Sequence, residues 1–390
     1  MYEMGKAELD AVRRVMKSRK FFRYGGVEVV GFEKEWSSLI GSRSTMATTS
    51  GTAALIVSLQ AMGIGPGDSV LVPGYTFVST ALAVTAVGAI PIYVEVDETL
   101  TMCPVDMARK IRKHTACVIP VHMQGMPCNL AAIRRIAKVH GIRVLEDCCQ
   151  AIGGSYRGRR LGAWGDMGAY SFNVFKILSC GEGGACVTSN RTYAERSYMA
   201  QDGSCSVWPE TGPMSQAFFC GGNFRMNEIN AAILREQVKR LDGILGALRE
   251  TRKIFRRALA LPDGLRFVES NDEAGDCGVC FLIQTRDVET AERAEAVLAK
   301  SLRVHRPINS GRHVYSAWGV VHSKIGGHHP DWDCFRHPAN RGIRTNYDAP
   351  LRKTDDYLRR TILCNTPYGW TPRKTRLAIE AINREWIVLS

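Results

Sequence analysis

Nowhere in the 390 residues do 18 apolar side chains follow one another, which argues against a membrane-spanning helix. The opening MYEMGKAELDAVRRVMKSRK lacks the apolar stretch of a secretion signal, so a soluble, cytoplasmic protein with no membrane partner is expected. The chain has no internal repeat and no low-complexity tract. It also lacks a second CxxC: Cys277 and Cys280 have no companion pair at zinc spacing, and His328 and His329 sit in a distant loop, so no metal site is expected. GIGPG at 63–67 follows a helix-like segment rather than a strand and fails the dinucleotide fingerprint. No nucleic-acid module is recognisable, so no nucleic-acid partner is expected.

What is present is an ordinary globular composition. At 45% hydrophobic and 8% aromatic the chain can bury a large core, in two domains or in one large domain with an appendage. Thirteen cysteines, an odd number without an export signal, read as reduced thiols that mostly fill the core. Lys+Arg outnumber Asp+Glu by 51 to 38, a net of +13. The basic clusters (RRVMKSRK, RRIAK, REQVKRLD, RKIFRR) carry helical spacing and read as solvated helix faces, with recruitment of an anionic partner as the other reading.

Helical and strand-like segments alternate to about residue 245. GTAALIVSLQAMG, TFVSTALAVTAVGA and LAAIRRIAKVHG have helical apolar spacing, while SVLVP, IPIYVEVD, ACVIPVH and IRVLED read as buried strands. Such alternation implies a mostly parallel sheet with helices on both faces and ligands outside the carboxyl ends of its strands. The run from 227, NEINAAILREQVKRLDGILGALRETRKIFRRALA, is too long for a crossover helix and reads as a connector. A large α/β domain over 1–245 and a smaller α+β domain over 246–390 are therefore expected. The second holds VCFLIQT as a strand, VETAERAEAVLAKSL as a helix, a His/Pro/Gly-rich stretch from 305 to 346, and a last helix TPRKTRLAIEAINREW.

Four strand ends carry chemistry-bearing residues. In TTSGTAAL, Gly51 and Thr52 open a helix whose free N–H groups suit a phosphate, though such starts are also ordinary caps. In GYTF, Phe77 can stack on a flat ring or sit in the core. In VLEDCCQA the acid can cap, bind metal, or pair with a protonated heterocyclic nitrogen. In YSFNVFKILSCGEGG, Lys176 lies between an aromatic strand and a glycine-rich turn: a surface lysine, or a desolvated amine ready to join an aldehyde.

Together these are the requirements of pyridoxal 5′-phosphate (PLP). The order and spacing of SGTAAL, P-x-x-TF, EDxxQA, SFxxxK, GEGG and N-x-RM-x-E resemble the DegT/DnrJ/StrS sugar aminotransferases among the fold type I PLP enzymes, strongly over residues 20–245. The resemblance implies a mostly parallel seven-stranded sheet in the large domain. It makes Lys176 the Schiff-base lysine and proton shuttle, and Asp147 the partner of the pyridinium nitrogen. Gln150 would contact the ring hydroxyl and Phe77 the ring face. Gly51, Thr52 and Ser171 would hold the phosphate, and Asn223 would reach the phosphate of a neighbouring subunit, implying a homodimer with a shared site. The implied reaction carries an amino group, through pyridoxamine 5′-phosphate, from glutamate or glutamine to a ketosugar in amino-sugar, antibiotic or polysaccharide biosynthesis. Arg225, Arg312, His313 and His329 are candidates for holding the acceptor.

Departures from the family pattern are Cys148 and Cys149, where small residues are common, and Cys180 before GEGG; a thiol near an aldehyde can trap it reversibly. VHMQGMPCNL, with His122 and Cys128, resembles a branch whose substrates are less uniform. A sugar dehydratase of this fold typically replaces the lysine with histidine, so Lys176 favours transamination. Aminotransfer to a cyclitol or another keto substrate, or aromatising formation of an aminohydroxybenzoate, keeps the lysine and stays open. A nucleotide- or nucleic-acid-binding α/β protein is the non-enzyme alternative.

Overall fold

Five-residue runs such as Ser69–Pro73 and Ile90–Val94 are buried throughout, as strands covered on both faces must be. A computed structural model describes residues 3–208 and 212–389, with the side chains of 387–389 not described. Its main sheet has seven strands: β1 (Ser44–Thr48), β2 (Ser69–Pro73), β3 (Ile90–Val94), β4 (Thr115–Val118), β5 (Arg143–Asp147), β8 (Met167–Ser171) and β9 (Gly184–Thr188). Between β5 and β8 lies a small hairpin of β6 (Ser155–Tyr156) and β7 (Arg159–Arg160). The spatial order is β1-β9-β8-β5-β4-β2-β3, and only β9 runs against the other strands.

Residues alternating along each strand feed two cores. On one face Leu71 and Val144 pack against α2 (Glu28–Ile40) and α6 (Leu130–His140). On the other, Val70, Val72 and Leu145 pack against α3 (Gly51–Ala61), α4 (Ser79–Ala86) and α7 (Arg191–Gln201). This parity decides the two acids that end β5: Glu146 belongs to the first face and Asp147 to the second. Helices α1 (Lys6–Ser18) and α5 (Pro104–Lys110) complete this part. No helix among the described residues is long and apolar enough to cross a membrane.

The expected single connector is two helices, α8 (Glu228–Val238) and α9 (Leu241–Ala258), parted at Lys239 and Arg240. The halves answer to different neighbours. α8 packs along α1 and α2, while α9 spans two hydrophobic cores, with Leu241, Ile244, Leu245 and Leu248 in the first core of the main sheet and Phe255 in another beyond it. A four-stranded sheet follows, ordered β10 (Leu265–Phe267), β11 (Cys280–Thr285), β13 (Thr361–Asn365), β12 (Val304–His305), with α10 (Val288–Ala299), α12 (Arg352–Arg360) and α13 (Pro372–Leu389).

The His/Pro/Gly-rich stretch is an ordered strap of short 3₁₀ turns and one short α-helix, α11 (Gly319–His322). Its Tyr315, Trp318 and Val321 are buried in the second core of the main sheet. The strap therefore packs on the main sheet, although its sequence lies among elements of the four-stranded sheet. Asn340 pins it there, accepting from the Gly67 N–H at 2.6 Å and donating to Gly88 O at 2.9 Å.

Candidate active site

The carboxyl ends of β1, β2, β5 and β8 converge, as a parallel sheet requires. After β1, Ser50 caps α3 by accepting the Ala53 N–H at 3.1 Å, leaving the N–H groups of Gly51 and Thr52 without intrahelical acceptors. The Thr52 hydroxyl bonds to no described residue. Ser171, the last residue of β8, abuts this helix start: a Cβ on Gly51 would lie 2.6 Å from its Cβ and 2.9 Å from Cys149 Sγ. Only glycine lets the two segments close into a cradle of unspent donors, which suits a dianionic phosphate.

The glycine-rich turn has a different task. A Cβ on Gly184 would come within 2.2 Å of Ser50 O, so GEGG allows β9 to pass under the helix start rather than binding a ligand itself.

Asp147 is buried at 4% exposure. Its Oδ1 accepts the Cys149 N–H at 3.0 Å and its Oδ2 the Thr80 hydroxyl at 2.9 Å. Two donors to a buried carboxylate stabilise its anion and fix its plane. Gln150 is half-buried; its Oε1 accepts the Gln124 N–H at 3.2 Å, which leaves the amide hydrogens for another acceptor. Gln124 holds φ 54°, a left-handed conformation uncommon for this residue type.

Lys176 lies in the turn after β8, half-buried, its N–H bonded to Asn173 O at 2.9 Å. Two neighbours report where its ammonium is. Burial, then Asp147, pushes the Cys149 thiol well above its usual range against the opposing effect of Lys176. Burial, then the positive charges of Arg312 and Lys176, pushes His313 down to about 4. Cys149 is thus a protonated thiol at neutral pH rather than a thiolate nucleophile. Lys176 is thus an electrostatic neighbour of both Cys149, beside Asp147, and His313.

Phe77, four residues beyond the end of β2, leaves 38% of its surface exposed. His313 lies beside it at 5.6 Å between ring centroids, and the Arg312 guanidinium at 6.0 Å. Asn223 is exposed on a segment bridged to Asp202, next to Phe224, whose carbonyl accepts the Thr49 N–H at 2.9 Å.

The other acceptor candidates lie elsewhere. Arg225 forms an ion pair with the buried Asp202 and lies 5.1 Å from the Phe22 ring. His329 is mostly exposed and caps its own turn, its Nδ1 accepting the Asp331 N–H at 3.2 Å.

A donor set of metal type does occur behind the site, where His122, Glu146 and Cys148 offer ligand atoms within 4.8 Å of one another. Hydrogen bonds already occupy it. His122 Nδ1 accepts the Cys128 N–H at 3.0 Å, which places the ring hydrogen on Nε2, facing Glu146 at 3.3 Å. Glu146 also accepts from the N–H groups of Gly162, Trp164 and Gly165 at 2.6–2.8 Å. The sequence reading missed this network and Thr80; strand parity at EDCC was the available signal for the first, since it separates the two acids.

The site residues fall on the motifs that carried the resemblance, and the family model described as the DegT/DnrJ/EryC1/StrS aminotransferase family matches residues 2–317. The chain belongs to this family. Its members depend on PLP. The chain is 34% identical over 275 residues to L-glutamine:2-deoxy-scyllo-inosose aminotransferase of Streptoalloteichus tenebrarius, covering 67% of this chain and 64% of that one. It is 38% identical over 245 residues to dTDP-3-amino-3,4,6-trideoxy-alpha-D-glucose transaminase of Streptomyces venezuelae, covering 62% of each. The match thus spans a little under two thirds of the length of these two relatives. Among solved structures, 3-amino-5-hydroxybenzoic acid synthase superposes with a TM-score of 0.81 at 25% identity, covering 100% of this chain and 98% of that one. The mostly parallel seven-stranded sheet is accordingly that of fold type I.

The residues present fit PLP. The α3 cradle offers unspent donors for its phosphate, Asp147 a buried anion for its ring nitrogen, Phe77 an open face for its ring, and Lys176 an amine for its aldehyde.

Proposed function

We propose that this chain is a PLP-dependent aminotransferase that moves the amino group of glutamate or glutamine to a cyclic ketone, a ketosugar or a cyclitol, in the cytoplasm. The observation that carries the reading is the placement of Lys176 and Asp147 beyond the ends of the paired strands β8 and β5, beside the donor cradle of α3. A lysine at position 176 favours transamination over dehydration. Names of relatives supply the acceptor class: one acts on a cyclitol ketone and another on a nucleotide-linked sugar.

Bound there, PLP supplies a carbonyl that carries the amine and a ring that accepts an electron pair. The chain's residues do the rest. Lys176 Nζ takes the proton from the amine-bearing carbon of the donor and returns one to the acceptor carbon, as general base and then acid. Asp147 keeps a negative charge opposite the ring nitrogen, with Thr80 and the Cys149 N–H holding the carboxylate in place. Gln150 presents its amide hydrogens to the ring hydroxyl, and Phe77 covers one ring face. Gly51, Thr52 and Ser171 anchor the phosphate.

The same reading makes the protein a homodimer. Val174 and Phe175, immediately before Lys176, are 45% and 76% exposed, an apolar surface suited to a second copy, and the exposed Asn223 is free to reach that copy's phosphate. Light scattering of the purified protein tests this, with a monomer at micromolar concentration as the contrary result.

For the reaction, borohydride reduction of the yellow protein should add the cofactor's mass to the peptide holding Lys176. Glutamate should then yield 2-oxoglutarate in step with an aminated ketosugar or cyclitol. A label on any other lysine, or a protein that does not take up PLP, would refute the assignment.

A further inference from the structure

Arg312 is placed with unusual care for an exposed arginine. Its carbonyl accepts the Val78 N–H at 3.1 Å and the Trp318 indole N–H at 3.1 Å, while His313 O accepts the Thr76 N–H at 2.9 Å and Tyr315 donates its N–H to Gly74 O at 2.9 Å. The strap is thereby laced to the segment leading to Phe77. Trp318 is buried in the second core of the main sheet, so this backbone is fixed by packing as well as by hydrogen bonds.

The guanidinium so delivered meets no acid among the described residues. Its one described contact is the Phe77 ring, whereas Arg225 pairs with Asp202, Arg306 with Glu292 and Glu295, and Arg23 with Glu33. An arginine on a backbone fixed in this way beside Phe77, with five N–H donors and no acid partner among the described residues, is prepared for a planar or tetrahedral anion. Its neighbour points the same way. Burial and two cationic neighbours, Arg312 and Lys176, depress the basicity of His313, so its surroundings are electropositive.

We propose that Arg312 and His313 form the subsite that binds the anionic group of the substrate, the guanidinium taking a carboxylate or phosphate and the imidazole an adjacent hydroxyl or carboxylate oxygen. This rests on the aminotransferase reading above and adds to it the chemistry of recognition. The donor's carboxylate and the acceptor's own charged group offer the same chemistry, and the two half-reactions tell them apart.

The test uses the PLP-loaded protein and the variants R312A, R312K and H313N, with glutarate as an unreactive anion and L-glutamate and an anionic ketosugar as substrates. Calorimetry should show R312A binding glutarate at least about tenfold more weakly than wild type, with R312K in between, because a charge-assisted bidentate contact is lost and then half restored. If the anion is the donor's, the KM for glutamate rises by that factor in R312A with kcat little changed, and the acceptor half-reaction is unaffected; if it is the acceptor's, the pattern reverses. H313N should show a smaller rise in the same half-reaction. Wild-type affinities within twofold in all three variants, with PLP uptake and borohydride labelling of Lys176 intact, would overturn the subsite and leave the aminotransferase reading standing. Loss of PLP uptake by the wild-type chain would instead remove the reading on which it rests.

Discussion

The Asp147 carboxylate accepts the hydroxyl hydrogen of Thr80 at 2.9 Å, and Thr80 lies 2.8 Å from the hydroxyl of Thr76, one residue before Phe77. This chain of hydroxyls links two strand ends that the sequence separates by about 70 positions. Replacing Thr80 by valine keeps the volume and removes one of the two donors that hold the carboxylate, leaving the Cys149 N–H. A hydrogen bond to a charged group contributes about 1.5–3 kcal/mol, so T80V should raise the PLP dissociation constant by at least roughly tenfold. Equilibrium dialysis of the apoprotein measures it; an unchanged constant would mean that Asp147 keeps its place through the Cys149 N–H alone.

Glu146 makes a separate claim on stability. It is fully buried and accepts three backbone N–H groups from the 162–165 loop as well as facing His122. Glutamine offers one oxygen to these donors and sets an NH₂ against the rest. We expect E146Q to lose about 2–4 kcal/mol, read as a lower urea midpoint at an unchanged slope.

Gly184 offers a steric test. Alanine there would bring its Cβ 2.2 Å from Ser50 O, a backbone atom that cannot swing aside. The helix start must shift, so G184A should cost about 1–3 kcal/mol of stability and weaken binding of inorganic phosphate to the apoprotein as well as of PLP. A stable variant with normal phosphate affinity would sever the link drawn here between the glycine turn and the cradle.

His313 sets an acid limit on the apoprotein. Its folded basicity lies at about 4, below the ordinary 6.5, through burial and the nearby charges of Arg312 and Lys176. Above pH 6.5 the ring is neutral in both states and contributes no pH dependence. As the pH falls from 6.5 to 4 the unfolded chain binds a proton that the native ring refuses, so stability declines over that window. Allowing for partial exposure, the loss is about 2 kcal/mol. Urea midpoints at pH 7 and pH 4.5 should fall further apart in wild type than in H313N; equal differences would place the ring in solvent.

The elements most legible in the sequence were those whose signal is local. Buried runs such as SVLVP and IRVLED could be little but strands of a two-sided sheet, and Gly51, Phe77, Asp147 and Lys176 stood at ends where such a sheet exposes chemistry. The break at Lys239 and Arg240 was not legible, because no proline or cap marks it; α8 and α9 part because they bury against different neighbours. The strap was misjudged for a related reason: Tyr315 and Trp318 show no periodicity, and their burial depends on a surface more than 200 residues earlier in the chain.

The sequence by itself determined the alternation of strands and helices, the cofactor-type residues at the strand ends, and the family, since these depend on side-chain period and motif spacing. The tertiary structure alone decided that Thr80 supports Asp147, that Arg225 is spent on Asp202, and that Arg312 meets no acid among the described residues beside Phe77. Each of those outcomes is set by which distant groups share a few ångströms of space, and residue order does not encode that distance locally.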